Sequence, residues 1–399
     1  MKLTKEERLM LDGQEGEGVR KAIEILNALG EIYGAEKMIA IKSAQISGVS
    51  YNNLGDAGLA FLDDWANEGA YVRVPTTLNP AGMDLLDWKK LGFGEDFAEK
   101  QLKVVDAYER MGVSISCTCT PYLVGNLPNF GEHIAWSESS AVSYANSVLG
   151  ARTNREGGPS ALAAAICGRT PEYGLHLDEN RRSDLIVDVR CDLSSASDYG
   201  ALGNIVGKKV GNRIPFFTGI KAASLDELKS LGASMAASGA VALYHIENIT
   251  PEAKRMKMVS DAAEKIVIDD ISPGYDALNS GSDEIDLVAI GCPHASLAEI
   301  DEVARLLSGK KVKAELWVTT SSAVKEVARE NGLLKKIETA GGHIVADTCM
   351  IVAPIGQLGF RHMATNAAKA AFYAPSHCKT TVRFGTLKHC IEAAVSGVW

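Results

Sequence analysis

The chain has 399 residues, of which 46% are hydrophobic and 23% are charged, and its net charge is −9. This length and composition are typical of a globular protein with a large core and two or three domains, and the lack of a basic tract argues against nucleic acid as a partner. No apolar run reaches the ~20 residues that span a bilayer, and the charged N-terminal stretch lacks a signal-peptide core. We therefore expect a cytoplasmic protein that does not contact membranes.

The first 182 residues alternate between helical and strand-like patterns. Residues 4–34 predict two helices with a glycine-containing break, and the following segments predict strand, helix, strand and helix. Such alternation predicts an α/β architecture with mostly parallel strands. The loops at 47–50 and 76–80 follow strands and are rich in Ser, Thr, Gly and Asn. This composition suits the binding of a small anion, although ordinary turns use the same residues.

A polar stretch with two cysteines comes next. The strand-like lead-in GVSIS delivers Cys117 and Cys119, Pro121 then breaks the strand, and a helix is predicted from about Ser137. An α/β protein usually places its chemistry where a strand end faces a helix start. The alternative is a pair of cysteines buried in a core strand, because free cysteine behaves as a small hydrophobic residue.

An internal repeat occupies the middle of the chain. The stretch SDLIVDVRCDLSSASDYGALGNIVGKKV aligns with IDLVAIGCPHASLAEIDEVARLLSGKKV, so that Asp184 corresponds to Asp286. The period is far longer than that of a solenoid, and it predicts two related α/β domains. The predicted organisation is an N-terminal α/β domain (1–182), two repeat copies (183–284 and 285–350) and a C-terminal segment (351–399) that packs back on the N-terminal domain.

The repeat also indicates which cysteines can converge. Cys191 and Cys292 end equivalent strands, but only the second copy adds a further cysteine, Cys349, at the end of its last strand. A metal site would therefore use Cys292 and Cys349 together with either Cys117 or Cys119.

The chain has eight dispersed cysteines, which predict free thiols and metal ligands rather than a disulfide framework. The close CxxC pairs of structural zinc sites are absent. Electron-carrying iron–sulfur clusters take four thiolates, whereas three thiolates leave one iron open to act as a Lewis acid on a hydroxyl group. Cys167, Cys378 and Cys390 are interpreted as structural.

Several motifs together resemble one known family. CTCTPY and the run GEHIAWSESSAVSYANSVLGARTNREGGPSA, with SAQISGVSY, TTLNP, AIGCPH, ADTCMI and KAAFYAPS, are similar to the aconitase X family, a divergent branch of the aconitase superfamily. The resemblance covers essentially the whole chain and implies an aconitase-like fold of several α/β domains around a central cleft. Some members are fused chains that act on cis-3-hydroxy-L-proline, whereas archaeal members are split and resemble phosphomevalonate dehydratases. Because the chain ends at Trp399 without a swivelling domain, we expect a large subunit that binds a small subunit.

The resemblance also implies the site residues. It makes Cys119, Cys292 and Cys349 the ligands of an iron–sulfur cluster, expected as [4Fe–4S], or as [3Fe–4S] after loss of a labile iron. Cys119 is preferred over Cys117 because it directly precedes the Thr-Pro-Tyr match. Three further residues, Arg152, Asn154 and Glu156, are expected to surround the site. The implied substrate-binding residues are Gly48, Val49, Ser50, Asn79, Pro80, Glu138, Ser139 and Lys369.

The implied reaction is the dehydration of (R)-5-phosphomevalonate to trans-anhydromevalonate 5-phosphate, in the mevalonate route to isoprenoids. The open iron would bind the leaving hydroxyl group, while the N–H groups of loop 48–50 and Lys369 would stabilise negative charge on this small anionic substrate. The superfamily's base is a serine on the swivelling domain. We therefore assign no catalytic base in this chain and expect the large subunit alone to be inactive.

Three alternatives stay open at the level of sequence. A cis-3-hydroxy-L-proline dehydratase shares the chemistry but needs no phosphate site. A cluster-bearing electron carrier or sensor predicts four cysteine ligands, and a metal-free scaffold predicts cysteines that only fill the core. Three histidines, His133, His294 and His343, lie near strand ends. Neighbouring backbone usually satisfies such residues, and the alternative is that they position a proton or a ligand.

Overall fold

Four β-sheets organise the chain, and the computed structural model describes residues 1–399. The first domain contains two of these sheets. Strands in the order β3-β2-β4 form a parallel sheet, and β1 pairs with β5 in an antiparallel sheet. Its elements are α1 (Lys5–Leu11), α2 (Glu17–Ile32), β1 (Met38–Ala40), β2 (Ala44–Ile46), α3 (Tyr51–Asn67), β3 (Thr76–Leu78), α4 (Glu95–Arg110), β4 (Ala135–Trp136), α5 (Ser139–Tyr144), α6 (Gly158–Cys167) and β5 (Arg169–Pro171).

The two predicted N-terminal helices are confirmed, and α2 shows how sequence periodicity becomes packing. Val19, Ala22, Ile23 and Leu26 share one helical face, and all four are buried. This face packs on α6, whose central alanines are also buried. Small alanine side chains let the two helices approach closely, so the first domain gains a tightly packed core behind its parallel sheet.

The second and third domains are built around one parallel sheet each. The second contains β6 (Ser183–Val189), α7 (Ala196–Val210), β7 (Pro215–Thr218), α8 (Leu225–Gly239), β8 (His245–Ile246), α9 (Pro251–Arg255), β9 (Val259–Ile268) and α10 (Ser272–Asp276). The third contains β10 (Leu287–Ile290), α11 (Leu297–Leu306), β11 (Glu315–Thr320), α12 (Ser322–Glu330), α13 (Leu333–Ala340), β12 (His343–Ala346), β13 (His362–Thr365), α14 (Ala368–His377), β14 (Thr381–Phe384) and α15 (Leu387–Ser396).

The internal repeat of the sequence is a repeat of topology. The second sheet has the strand order β8-β7-β6-β9, and the third has the order β12-β11-β10-β13-β14. All pairs in both sheets are parallel. The first four strands of the third sheet therefore correspond one to one with those of the second, and the predicted α/β class with mostly parallel strands is confirmed.

The C-terminal segment corrects the predicted domain division. We expected residues 351–399 to form a separate segment packed on the N-terminal domain, but β13 pairs with β10 and β14 pairs with β13. The physical reason is that β10 would otherwise leave one edge of its hydrogen-bonding groups without a neighbouring strand. The loop before β13 does reach the first domain, where Ser50 Oγ donates to the Val352 carbonyl at 3.0 Å.

Buried ion pairs join the three domains. Arg181, at the end of the first domain, binds Glu252 of the second at 2.7 Å, and Lys229 of the second domain binds Glu299 of the third. These contacts tie the second domain to the first domain on one side and to the third domain on the other. No helix combines the length and the apolar composition that crossing a membrane requires.

Candidate active site

The three predicted cysteine ligands lie where the first and third domains meet. Cys292 follows β10 and Cys349 follows β12, while Cys119 lies in the loop before Pro121. Each is at most 8% exposed, and each is a free thiol. The carboxyl ends of parallel strands open at one edge of a sheet, which is where α/β proteins bind ligands.

Cys119 is joined directly to the segment that carries Cys292. The His294 N–H donates to the Cys119 Sγ at 3.2 Å. Cys349 belongs to the same buried apolar cluster as Cys292. The structure therefore brings three cysteines that are distant in sequence to one place.

Burial dominates the electrostatics of these thiols. It raises the pKa of Cys119 to about 12, and it also raises the pKa values of Cys292 and Cys349. The Cys349 thiol adds to the increase at both other cysteines, whereas the positive charge of Lys369 lowers the pKa of all three. Thiolates at this position therefore require a cationic partner, and a metal centre supplies one.

The donor set fits a polynuclear cluster better than a single ion. No three His, Cys, Asp or Glu side chains of the chain are placed to chelate one metal ion. Cluster ligands stand further apart, because several metal atoms and sulfides lie between them, and thiolate sulfur is their usual ligand. Next to Cys349, the Thr348 Oγ1 is buried without a hydrogen-bond partner. A hydroxyl of this kind can donate to a cluster sulfur, as outer hydrogen bonds at metal sites do.

Glu138 and Lys369 form a buried ion pair at this site. Glu138 caps the N-terminus of α5 and accepts from the Ala141 N–H at 2.7 Å, and Lys369 lies in the first turn of α14. The Lys369 Nζ contacts the Glu138 carboxylate and also the hydroxyl groups of Ser139, at 3.4 Å, and Ser140.

The charges of this pair are coupled to the thiols. Burial would raise the pKa of Glu138, but the Lys369 charge and the N–H groups of α5 lower it overall. Burial would lower the pKa of Lys369, but Glu138, followed by Cys292 and Cys119, raises it overall. Both side chains are therefore charged. Lys369 is the cation that lowers the pKa values of the three cysteines most.

Side chains of α4 hold the predicted anion-binding loop at residues 48–50. The Tyr108 hydroxyl donates to the Gly48 carbonyl at 3.2 Å, and the Gln101 Nε2 donates to the Val49 carbonyl at 2.9 Å. Gly48 has φ 82°, which glycine adopts without strain. The three N–H groups of the loop donate to no other group of the chain. They precede α3 and are free to bind an anion.

The predicted loop at 76–80 was wrong for its first three residues, which pair with β2 as strand β3, and the loop begins only at Asn79, which carries an unsatisfied amide. The Asn79 N–H donates to the Ile46 carbonyl at 2.9 Å, but its side-chain Oδ1 is buried without a partner. After Pro80, the Ala81 N–H donates to the Asp347 carbonyl at 2.8 Å, so this loop is tied to the segment just before Cys349. Asn79 thus has a polar atom available at the junction of the two domains.

Sequence reasoning missed two residues of the site. Gln45, in β2, accepts from the Glu138 N–H at 3.1 Å and donates to the Thr118 carbonyl at 3.4 Å, so it links the ion pair to the cysteine loop. Asn366 lines a small cavity with Cys292, and its Oδ1 is buried without a partner. The only signal in the sequence is the polar Gln45 within an otherwise small and apolar strand, because a buried amide must find partners.

Two other cysteines lie near the site. Cys117 is buried with φ 38°, and burial, followed by the charge of Asp347, raises the pKa of its thiol. We expected no convergence for Cys378, but its thiol donates to the Met350 carbonyl at 3.2 Å and packs in the apolar cluster of Cys292 and Cys349.

Three residues of the long motif lie behind the site. Arg152, Asn154 and Glu156 hold the segment 170–178 through hydrogen bonds of 2.8–3.3 Å to His176, Leu175 and Thr170. These hydrogen bonds stabilise the first domain, and none of them involves a cysteine.

Of the three histidines, only His294 contacts the cysteine segments. His133 Nδ1 lies 3.0 Å from His176 Nδ1. The His343 Nε2, at the amino end of β12, lies 3.4 Å from the Glu315 carboxylate. Both are therefore satisfied by residues outside the site.

With this geometry in hand, comparisons with known proteins are specific. The aconitase X first-domain model matches residues 1–179, the second-domain model matches 183–272 and the third-domain model matches 285–396. The crystal structure of Thermococcus kodakaraensis aconitase X in its holo-form superposes with a TM-score of 0.93 at 49% identity, covering 99% of this chain and 100% of that chain.

Two groups of named relatives match over nearly the full length. The phosphomevalonate dehydratase large subunit of Methanocaldococcus jannaschii is 55% identical over 98% of this chain and 100% of the relative, and that of Methanosarcina mazei is 50% identical over 100% and 98%. The cis-3-hydroxy-L-proline dehydratase of Pseudomonas aeruginosa is 36% identical over 98% of this chain and 69% of the relative.

Fold and site together define an aconitase-like α/β protein with three buried cysteines where its first and third domains meet. The chain belongs to the aconitase X family.

Proposed function

We propose that this chain is the large subunit of a phosphomevalonate dehydratase, which removes water from (R)-5-phosphomevalonate and forms trans-anhydromevalonate 5-phosphate in the mevalonate route to isoprenoids. The observation that carries the proposal is the 55% identity, over nearly the whole length, to a protein of that name. The hydroxyproline dehydratase relative, at 36% identity, is more distant. Hydroxyproline dehydration is therefore the second candidate for the substrate.

Cys119, Cys292 and Cys349 hold an iron–sulfur cluster in this proposal. Three buried free thiols at one place, in an arrangement that does not chelate a single ion, support this assignment. When bound, such a cluster supplies an iron that acts as a Lewis acid on a leaving hydroxyl group.

Lys369 and loop 48–50 bind the negatively charged groups of the substrate. The loop offers three free N–H groups, and Lys369 offers an ammonium group on a side chain that is only 12% exposed. Removing a proton next to a carboxylate builds negative charge on the carboxylate oxygens, and fixed donors in a site without water stabilise that charge strongly. Glu138, with Ser139 and Ser140, holds the Lys369 ammonium in place.

A small subunit supplies the base. The relatives named large subunits support such a partner. Within this chain, the ionised carboxylate at the site belongs to Glu138, which is bound to Lys369 and to the Ala141 N–H and is therefore a poor proton acceptor. The heterodimer would work in the cytoplasm, because a reducing compartment keeps the free cysteines reduced.

The test compares the large subunit alone with the co-expressed pair, both purified without oxygen. Each is incubated with (R)-5-phosphomevalonate, with unphosphorylated mevalonate and with cis-3-hydroxy-L-proline, and the dehydration product, an alkene from the first two and a cyclic imine from the third, is followed by NMR. We expect turnover of the phosphorylated substrate by the pair only. Turnover of hydroxyproline instead would transfer the assignment to the second candidate. Full activity of the large subunit alone would refute the division of the site between two chains.

A further inference from the structure

Each polar group of His294 is bound to a different group of the chain. Its backbone N–H donates to the Cys119 Sγ at 3.2 Å, and its backbone carbonyl accepts from the Lys229 Nζ of the second domain at 3.3 Å. In the imidazole ring, Nδ1 lies 2.9 Å from the Thr118 Oγ1, and Nε2 lies 2.9 Å from the Thr348 carbonyl oxygen. The side chain is fully buried, so no water competes for these contacts.

The partners of the ring fix its tautomer. The Thr348 carbonyl only accepts hydrogen bonds, so Nε2 must carry the hydrogen and donate it. In the neutral ring Nδ1 then accepts from the Thr118 hydroxyl. That hydroxyl in turn accepts from the Thr120 N–H at 3.2 Å. The result is one directed chain of hydrogen bonds from the cysteine loop of the first domain to the carboxyl end of β12.

The chain positions of these partners relate them to the candidate ligands. Thr118 directly precedes Cys119, Thr348 directly precedes Cys349, and His294 itself lies two residues after Cys292. The imidazole ring of His294 therefore hydrogen-bonds to the residue directly before Cys119 and to the residue directly before Cys349. His294 itself lies two residues after the third candidate ligand, Cys292.

We propose that His294 is a positioning residue that sets the separations of the three cysteine sulfurs and so makes the pocket competent to bind its cluster, an inference that rests on the proposed function. A cluster accepts thiolates only at fixed separations, and segments ordered in advance lose less conformational entropy when it binds. Here the ordering is made by hydrogen bonds whose donors and acceptors all belong to the protein.

Few side chains can replace His294 in this role. The bridge needs a donor at one end and an acceptor at the other, at the separation that the imidazole ring provides. Phenylalanine fills a similar volume but offers neither group. Glutamine offers both groups on a flexible stem, so we expect it to restore part of the function.

His245 is a matched control. It is 1% exposed, and its Nε2 lies 2.8 Å from the Arg181 carbonyl oxygen, far in sequence from every candidate ligand. His245→Phe thus removes a buried histidine hydrogen bond of the same kind without touching the cysteine segments.

The first experiment uses the two-subunit complex reconstituted anaerobically with iron and sulfide. Iron release to a chelator, the iron and sulfide content and the EPR spectrum are measured for the parent, H294F, H294Q and H245F. We expect H294F to lose iron at least about tenfold faster, because two hydrogen bonds are removed, with H294Q between H294F and the parent. H245F should match the parent. Equal release rates and equal spectra for H294F and H245F would overturn the proposal.

The second experiment uses the cluster-free large subunit, so that its outcome does not depend on the cluster. Hydrogen exchange of the segments 117–120 and 346–350 is compared between H294F and H245F. We expect faster exchange of both segments in H294F alone. If the parent complex binds no cluster, the proposed cofactor fails, whereas this exchange result still decides the role of His294: unchanged exchange in H294F means that the residue does not order the cysteine segments.

Discussion

Glu138 and Lys369 are separated by 231 residues in the chain and form an ion pair whose side chains are only 6% and 12% exposed. Glu138 caps α5 in the first domain and Lys369 lies in the first turn of α14 in the third, so the pair joins the two domains. Lys369 also lies within electrostatic reach of Cys119 and Cys292. The positive charge of the candidate active site therefore depends on a carboxylate from a different domain.

Breaking this pair from one side should be costly. Lys369→Met leaves the Glu138 carboxylate buried without a counter-charge, and we expect a loss of about 3–5 kcal/mol in the free energy of unfolding. Glu138→Gln should behave similarly, and the double variant should be more stable than the sum of the two losses implies. Urea unfolding of the four proteins gives the coupling energy. Lys388→Met, at an exposed position of α15, serves as the control and should change stability by less than about 0.5 kcal/mol. Strict additivity would show that the pair is not coupled.

The cysteines should separate into two groups on substitution. We expect Cys119→Ala, Cys292→Ala and Cys349→Ala each to lower the iron and sulfide bound after anaerobic reconstitution, because each removes one thiolate ligand of the proposed cluster. Cys117→Ala and Cys378→Ala should retain the parent's content. Loss of iron from the Cys117 variant rather than the Cys119 variant would exchange their roles. Loss from the Cys378 variant would indicate four thiolates and favour an electron carrier over a dehydratase.

Two adjacent glycines at the start of α6, the N-cap Gly157 and the first helical residue Gly158, should respond differently to the same substitution. A Cβ at Gly158 would lie 2.5 Å from the Ser47 carbonyl oxygen, which adjoins the anion-binding loop, whereas a Cβ at Gly157 would meet nothing closer than 3.6 Å. We expect Gly158→Ala to shift the loop and lower kcat/KM for the two-subunit enzyme by at least about tenfold, because small misplacements of substrate groups are costly. Gly157→Ala should remain close to the parent. Equal kcat/KM values for the two variants would contradict the proposed role of the loop.

His176 should make stability fall on acidification. Burial, followed by the charges of neighbouring His133, Arg181 and Arg152, lowers the pKa of His176 to about 3, while the unfolded value is about 6.5. As the pH falls through about 6.5, His176 binds a proton in the unfolded chain but stays neutral in the folded chain. The contribution of neutral His176 to the free energy of unfolding is therefore complete above pH 6.5 and is lost progressively towards pH 3.

The measurement is the free energy of unfolding of the parent and of His176→Gln between pH 7 and pH 4. The slope of the variant should be smaller by up to about 1.4 kcal/mol per pH unit. Groups that titrate in both proteins, such as Asp347, whose pKa burial raises to about 6, cancel in the difference. Parallel curves would mean that His176 binds its proton equally well in both states.

The sequence alone determined the features that arise from local patterns. Helical periodicity located α2 because its buried face repeats every three to four residues. The repeated stretches predicted two related α/β domains, and the structure adds that their sheets share one strand order. The motif resemblance selected the three cysteines, because long runs of matching residues specify a family whatever their contacts are.

Only the tertiary structure decided which distant groups touch. Nothing in the local sequence of residues 351–399 indicates that their strands complete the third sheet. A strand joins a sheet at an edge whose hydrogen-bonding groups are unpaired, and the position of that edge is known only from the fold. The same holds for Lys369 with Glu138, and for His294 with Thr118 and Thr348. A hydrogen bond or an ion pair between domains depends on positions and directions in space, which residue type and spacing along the chain do not encode.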